Sequence, residues 1–245
     1  MKIIEEFINS KSGKMEECED GLFHNRDFVV VVDGVTSKSK LSKNGLTGGY
    51  IAKEVIIETV KTFPRTIKST EAIAILSEKL KSQEENIGVK ATLVIYSDYH
   101  KEIWVYGNCQ IMINGKRKKY ETRVDKLFSL LRSFVINDLL QNGTTKSELL
   151  ENDKSREIIL GFLKDQSEFE NTENYFGYSV LNGVNDSTDK ADIIQVGKGD
   201  EIIIATDGYP LVYDTLKKSE AYLKNIITKD PLCFDMFKST KGVYK

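Results

Sequence analysis

The sequence of 245 residues is sparing in the residues that usually betray a secreted, zinc-dependent or membrane protein. Its three cysteines, Cys18, Cys109 and Cys233, are far apart and odd in number, which excludes a disulfide framework and a CxxC zinc site. Two histidines, His24 and His100, leave no HExxH motif, and no Gly-x-Ser-x-Gly elbow supports a serine hydrolase. No apolar run approaches the roughly 18 residues that cross a bilayer, and the N-terminus lacks a signal core. Lys plus Arg (35) nearly balance Asp plus Glu (37), for a net charge of −2, so a general polyanion binder is not expected. Only three prolines occur, without linker or repeat, so one domain over residues 1–245 is the default. The expected setting is a reducing one, cytoplasmic, with no nucleic acid and no membrane.

What the chain does have is a strand that ends in a carboxylate. Phe28 to Val32 run unbroken into Asp33-Gly34, and Ile202 to Ala205 lead into Asp207-Gly208. A buried carboxylate must be paired, hydrogen-bonded or bound to a cation. Asp-Gly is also a common way to leave a strand through a turn. Both pairs follow β-branched runs of the kind covered on two faces, and together they suggest one shared cation site.

Around these strands the pattern predicts a strand over residues 2–8 and a helix from Gly48, with Ala52, Val55, Ile56, Thr59 and Phe63 on one face and Pro64 closing it. Thr70 is the expected cap of a second helix to Leu80. A meander is expected over Thr92 to Tyr96, Glu102 to Tyr106 and Gln110 to Ile113, followed by a hairpin at Asn114-Gly115 that carries Lys116 to Lys119. Leu127, Leu131, Val135 and Leu139 recur every four residues, and Ile158, Ile159, Phe162 and Leu163 mark another amphipathic stretch, so about 125–170 reads as helical. Strands are expected at Tyr178 to Leu181, Asp192 to Val196 and Glu201 to Ala205, the last two joined by Gly197 to Asp200, and a helix near Ser219 to Thr228. Strands in hairpin-linked groups with helices between them predict an α+β fold with largely antiparallel sheets. Gly45 to Gly49 lacks the Lys-Ser/Thr of a P-loop, and Cys109 reads as a buried structural thiol rather than a nucleophile.

The order of these features resembles the metal-dependent Ser/Thr protein phosphatase family, PPM or type 2C. The residues that carry the resemblance are Glu19-Asp20, Asp33-Gly34, Gly48-Gly49 with Ala52, Ala91-Thr92, Gly107, Gly177 and Asp207-Gly208. It implies a four-layer αββα sandwich of two mainly antiparallel sheets flanked by helices. It also implies two Mn2+ or Mg2+ ions: Asp33 bridging both, Gly34 carbonyl and Glu19 serving one, Asp207 the other, with Asp20 in the same acidic cluster. Hard divalent cations take such oxygen ligands. The implied activity is in-line hydrolysis of phosphoserine or phosphothreonine in a phosphoprotein by a hydroxide bridging the ions, with Asp33 and Asp207 the catalytic carboxylates.

Departures from the family pattern support an alternative, a non-catalytic phosphatase-like module that binds a protein. The family's phosphate-gripping Arg position holds Met15, leaving Lys14 as the phosphate ligand without a bidentate fork. The segment after Asp33-Gly34 is Val35-Thr36-Ser37-Lys38, and the family's Gly-Asp-Ser is Gly107-Asn108-Cys109. The sequence stops at STKGVYK without the family's last Asp pair, so either the chain is a truncated form or one ion is short of a ligand. Asp230 and Asp235 are the nearest substitutes.

Overall fold

The structure, a computed structural model, describes residues 1–10, 13–35, 42–83, 87–184 and 186–242, with only the backbone of Lys119. Thr36, Ser37 and Lys38 lie outside the described residues. The chain divides into two compact units: residues 1–120 with 179–216, and residues 121–178 with 217–245.

The first unit is built on two antiparallel sheets. Its strands are β1 (Asp20–His24), β2 (Phe28–Gly34), β3 (Ser42–Lys43), β4 (Leu46–Thr47), β5 (Ala91–Ser97), β6 (Glu102–Tyr106), β7 (Gln110–Ile113), β8 (Lys116–Lys119), β9 (Asp192–Gln195) and β10 (Ile202–Ala205). The larger sheet has the order β1-β2-β5-β6-β9 and the smaller β10-β7-β8, while β3 and β4 form a separate hairpin. Helices α1 (Gly48–Lys61) and α2 (Ser69–Lys81) belong to the same unit.

Alternation along β2 explains why its valine run is continuous. Phe28, Val30 and Val32 pack with Ala52, Ile56 and Val60 of α1 and Leu76 and Leu80 of α2. Val31 points the other way, into a cluster with Val94, Ile103 and Val105 of the large sheet and Ile111 of β7, against which Ile202 and Ile204 of β10 pack. The large sheet is therefore covered by helices on one face and by the small sheet on the other. Thr47 caps α1 by accepting from the Tyr50 amide at 3.2 Å, which fixes where the helix starts against the end of β2.

Several expectations change here. Residues 2–8 form no strand, because their apolar residues fall in adjacent pairs, Ile3-Ile4 and Phe7-Ile8, rather than alternating. The cap of α2 is Lys68, two residues before the predicted Thr70. The meander breaks after β6: β6 pairs with β5 and β9, whereas β7 pairs with β8 and β10. Gly107, at φ 98°, turns the chain out of one sheet and into the other. A Cβ there would lie 2.3 Å from the Thr92 methyl carbon, so the turn needs glycine. The Gly197 to Asp200 loop likewise passes between sheets, from β9 to β10. Asn114 (φ 49°) and Gly115 (φ 76°) form the predicted hairpin between β7 and β8. The segment from Tyr178 to Leu181 is not a strand; it makes single bridges, Tyr178 with Glu170 and Leu181 with Ala91.

The second unit is helical: α3 (Arg123–Gln141), α4 (Lys146–Glu151), α5 (Lys154–Ile158), α6 (Leu160–Asp165) and, from the boundary onward, α7 (Leu216–Lys229). The four-residue row on α3 is not a straight packing stripe, since four residues advance about 400° and the row drifts by ~40° per step. Leu127 is exposed, and the buried residues are Val124, Phe128, Ser129, Arg132, Ser133 and Ile136. Ile159 and Leu163 are buried as expected, but Ile158 and Phe162 face solvent. Among the described residues no helix is long and apolar enough to cross a membrane.

Arg132 organises this unit. Its fully buried guanidinium donates from Nη1 to the carbonyls of Leu232 (2.7 Å) and Ser239 (3.0 Å) and from Nη2 to Asp153 Oδ2 (2.6 Å). Arg132→Ala strands the acceptors and leaves Asp153 without its cation; urea unfolding should show a loss of about 3–5 kcal/mol. A loss below about 1 kcal/mol, the range of an exposed ion pair, would contradict this role.

Candidate functional site

The end of β2 meets β1 in a register that opposes two acids. Asp20 lies directly across from Asp33, and the Gly34 amide donates to the Glu19 carbonyl at 3.0 Å. That bonding makes Asp20 and Asp33 a non-hydrogen-bonded pair, the kind whose Cα atoms approach to about 4.5 Å with side chains on one face. Like charges so placed repel. On its other side Asp33 is paired with Thr92 of β5.

Strand alternation then sorts the predicted ligands onto two faces. Asp33 shares the parity of Val31, Asp20 that of Leu22 and Thr92 that of Val94, all on the side that packs against the small sheet. Glu19 and Gly34 take the opposite side, toward α1. There Glu19 Oε1 accepts from the Thr47 hydroxyl at 2.5 Å. A Cβ on Gly34 would sit 2.1 Å from the Gly49 carbonyl oxygen, and one on Gly49 would sit 2.9 Å from Glu19 Oε1. Gly34 and Gly49 are glycine because the start of α1 lies directly on the Asp-Gly end of β2.

Asp207 arrives from the small sheet. It follows β10, whose Ala205 pairs with Gln110 of β7. Gln110 is buried, and its Nε2 donates to the carbonyls of Tyr209 (2.6 Å) and Thr206 (3.4 Å), clamping the turn that carries Asp207 and Gly208. Gln110 Oε1 has no hydrogen-bond partner among the described residues. Asn108 Nδ2 reaches Asp207 Oδ2 at 3.5 Å, and a Cβ on Gly208 would lie 3.9 Å from Asp20 Oδ2. Asp207 and Gly208 are exposed, so this end of the sheets opens to solvent.

Cys109 lies beneath the three carboxylates. Its thiol is fully buried, contacts Thr92 Oγ1 at 3.5 Å, and has its pKa pushed well up, by burial first and then by the charges of Asp33, Asp207 and Asp20. A neutral thiol in that field is no nucleophile.

The predicted set is thus divided. Asp20, Asp33 and Asp207 gather at the open end of the paired sheets, while Glu19 and Gly34 are turned to the first turn of α1. Lys14 is exposed and pairs with Glu17 at 2.8 Å; this partner holds its ammonium above the usual lysine range. Asp230, one suggested substitute, has its carboxylate occupied by the amides of Phe234 (3.1 Å), Asp235 (3.0 Å), Met236 (2.8 Å) and Phe237 (3.2 Å), a loop-forming role. Asp235 is a member of that loop. Gln110 and Thr47 were not singled out in the sequence; Gln110 acts through the carbonyls of Thr206 and Tyr209 and Thr47 through Glu19 and the Tyr50 amide, partners that no sequence spacing announces.

Carboxylates and a carbonyl are the donor chemistry of a hard divalent cation. In kind, the residues fit Mn2+ or Mg2+. Among the described residues, however, no three or more His, Cys, Asp or Glu side chains are grouped closely enough to hold a metal ion; the acids converge without enclosing one.

No protein-family model and no curated protein matches the sequence. Solved structures similar to this chain include three serine/threonine phosphatases. PstP/Ppp of Mycobacterium tuberculosis is 12% identical, with a TM-score of 0.47, over 85% of this chain and 85% of that one. The PPM phosphatase MsPP of Mycobacterium smegmatis, in complex with cacodylate, is 12% identical, with a TM-score of 0.43, over 87% and 80%. Stp1 of Staphylococcus aureus is 14% identical, with a TM-score of 0.39, over 86% and 83%.

The buried, protonated Cys109 yields a direct check. In the native protein at pH 8, iodoacetamide should label Cys109 roughly 100-fold or more slowly than in urea, because labelling requires the sheets to open. Equal rates, read by peptide mass spectrometry, would contradict the burial and the raised pKa.

Proposed function

We propose that this chain is a metal-dependent phosphatase acting on phosphoserine or phosphothreonine in proteins. The observation that carries the reading is that Asp20 faces Asp33 across β1 and β2 while the Asp207-Gly208 turn reaches Asp20 Oδ2, so that acids from three separate chain segments meet at one solvent-open sheet end.

When bound, Mn2+ or Mg2+ would supply Lewis acidity, making water nucleophilic near neutral pH and countering charge on the phosphoryl oxygens. Asp33 and Asp207 are the carboxylates that would hold such ions, Asp33 from the end of β2 and Asp207 from the turn after β10. Asp20 belongs to the same cluster. Glu19 acts from the α1 side, and the Gly34 carbonyl is the remaining oxygen donor. Gln110 holds the Asp207 turn, so its carboxylate is positioned before substrate arrives. Lys14, kept charged by Glu17, gives the substrate phosphate a point-charge partner rather than a fork.

The test is Mn2+-dependent hydrolysis of p-nitrophenyl phosphate together with calorimetric Mn2+ titration. Asp33→Ala should abolish high-affinity Mn2+ binding and lower activity by at least about 100-fold, since several kcal/mol of charge stabilisation are lost. Equal Mn2+ affinity in wild type and Asp33→Ala would sink the assignment. Asp207→Ala should weaken only one of two binding steps. Lys14→Ala should chiefly raise KM for a phosphopeptide, as expected when an interaction made equally in ground and transition states is lost.

The alternative, a protein-binding phosphatase-like module without turnover, is favoured by the contact of Asn108 with Asp207 and by the acids' failure to enclose an ion. It predicts phosphopeptide binding without Mn2+-stimulated hydrolysis.

A further inference from the structure

The outward face of α3 carries large apolar residues in an order that suits a second copy of itself. Leu127 is 45% exposed, Leu130 49% and Phe134 70%, on the side opposite the buried Phe128, Arg132 and Ile136. At 3.6 residues per turn, residues 123, 127, 130, 134, 138 and 141 fall on one stripe, within about 80° of each other. Lys126 and Asn137 flank it. Three adjacent exposed hydrophobes on one helix face mark a docking surface rather than scattered surface apolarity.

The charges decide the occupant. Arg123 and Lys126 sit at the N-terminal end of the stripe and Asp138 at the C-terminal end. The stripe is balanced about residue 132: Leu130 mirrors Phe134, Leu127 mirrors Asn137, Lys126 mirrors Asp138 and Arg123 mirrors Gln141. A parallel copy of the helix would set Lys126 against lysine and Asp138 against aspartate. An antiparallel copy sets each against its opposite and each Leu130 against a phenylalanine. A twofold interface requires this self-complementarity, since the same patch serves both sides.

We propose that α3 is a self-association surface, on which α3 of a second copy lies antiparallel. Leu130 packs against the partner subunit's Phe134, and Lys126 pairs with the partner subunit's Asp138. With three apolar side chains per copy at its centre, the contact is of the small, weak class, so exchange between monomer and dimer at micromolar concentration is expected. Nothing in this interface involves Asp33 or a metal, so it stands apart from the phosphatase reading.

Sedimentation equilibrium of the full chain over about 1–200 µM, a span chosen for weak interfaces, tests the proposal. The wild type should shift from monomer toward dimer across that range. Leu130→Glu should weaken association by about 30-fold or more, because it buries a charge twice per dimer. Lys126→Glu and Asp138→Lys should each weaken it about tenfold, through like charges facing each other. The double variant should return to near the wild-type value. Within one helix these two residues lie ~18 Å apart, too far to compensate each other, so rescue reports contact between copies. All positions are exposed, and circular dichroism checks that each variant is folded; the wild-type titration does not depend on any variant. A wild type that stays monomeric throughout, an unaltered Leu130→Glu, or a double variant weaker than either single one would overturn the proposal. So would a strictly monomeric chain that binds phosphatidylcholine vesicles through this stripe.

Discussion

Two carboxylates facing each other across a pair of antiparallel strands set the terms for the rest of the first unit. Asp20 and Asp33 occupy a closely spaced position at the end of β1 and β2, where like charges set directly opposite each other repel. The neighbouring residues are arranged around that constraint. Glycine at positions 34 and 49 lets α1 press onto the turn, and Thr92 fills the next position on β5. Gly107 lets the chain leave the large sheet at the same level. The small sheet brings Asp207 to the same end, held by Gln110. A third acid added to two is a worse electrostatic arrangement in isolation and a better one around a divalent cation. That inversion is the physical core of the proposed function.

The parity of strands accounts for what the sequence disclosed and what it hid. The strand-end placement of the two Asp-Gly pairs was legible because Phe28 to Val32 run straight into Asp33 and Ile202 to Ala205, followed by Thr206, lead into Asp207. That Asp20 faces Asp33, while Glu19 turns away to Thr47, depends on the β1–β2 register, which is set by pairing and not by local pattern. The hairpin at Asn114-Gly115 was legible because both residues must take left-handed backbone. The departure of β7 into a second sheet was not, since a glycine between two apolar runs signals a hairpin as readily as a crossover. Residues 2–8 misled because composition, without alternation, does not make a strand.

The helical unit shows the same lesson in another geometry. Apolar residues every four positions on α3 suggested one packing stripe, but the drift of such a row around the helix carries Leu127 to the surface while Leu131, Val135 and Leu139 turn inward. The position that the core requires is filled by Arg132, whose buried guanidinium gathers the 232–239 segment and Asp153. A buried arginine has no hydrophobic signature, so only the partners reveal it. The remaining outward apolar residues are those whose presence packing within the chain leaves unexplained.

Thermal unfolding with and without millimolar Mn2+ tests most directly whether a cation offsets the opposition of Asp20 and Asp33. In wild type, Mn2+ should raise Tm, because a ligand held only by the folded state stabilises it. Asp20→Asn removes the like-charge contact, so without metal its Tm should be higher than that of wild type by about 1–3 °C, as a few tenths to one kcal/mol gives for a chain of this size. With Mn2+ its gain should be smaller than that of wild type. An Mn2+-induced shift of equal size in the two proteins, or an Asp20→Asn variant less stable than wild type without metal, would contradict the account.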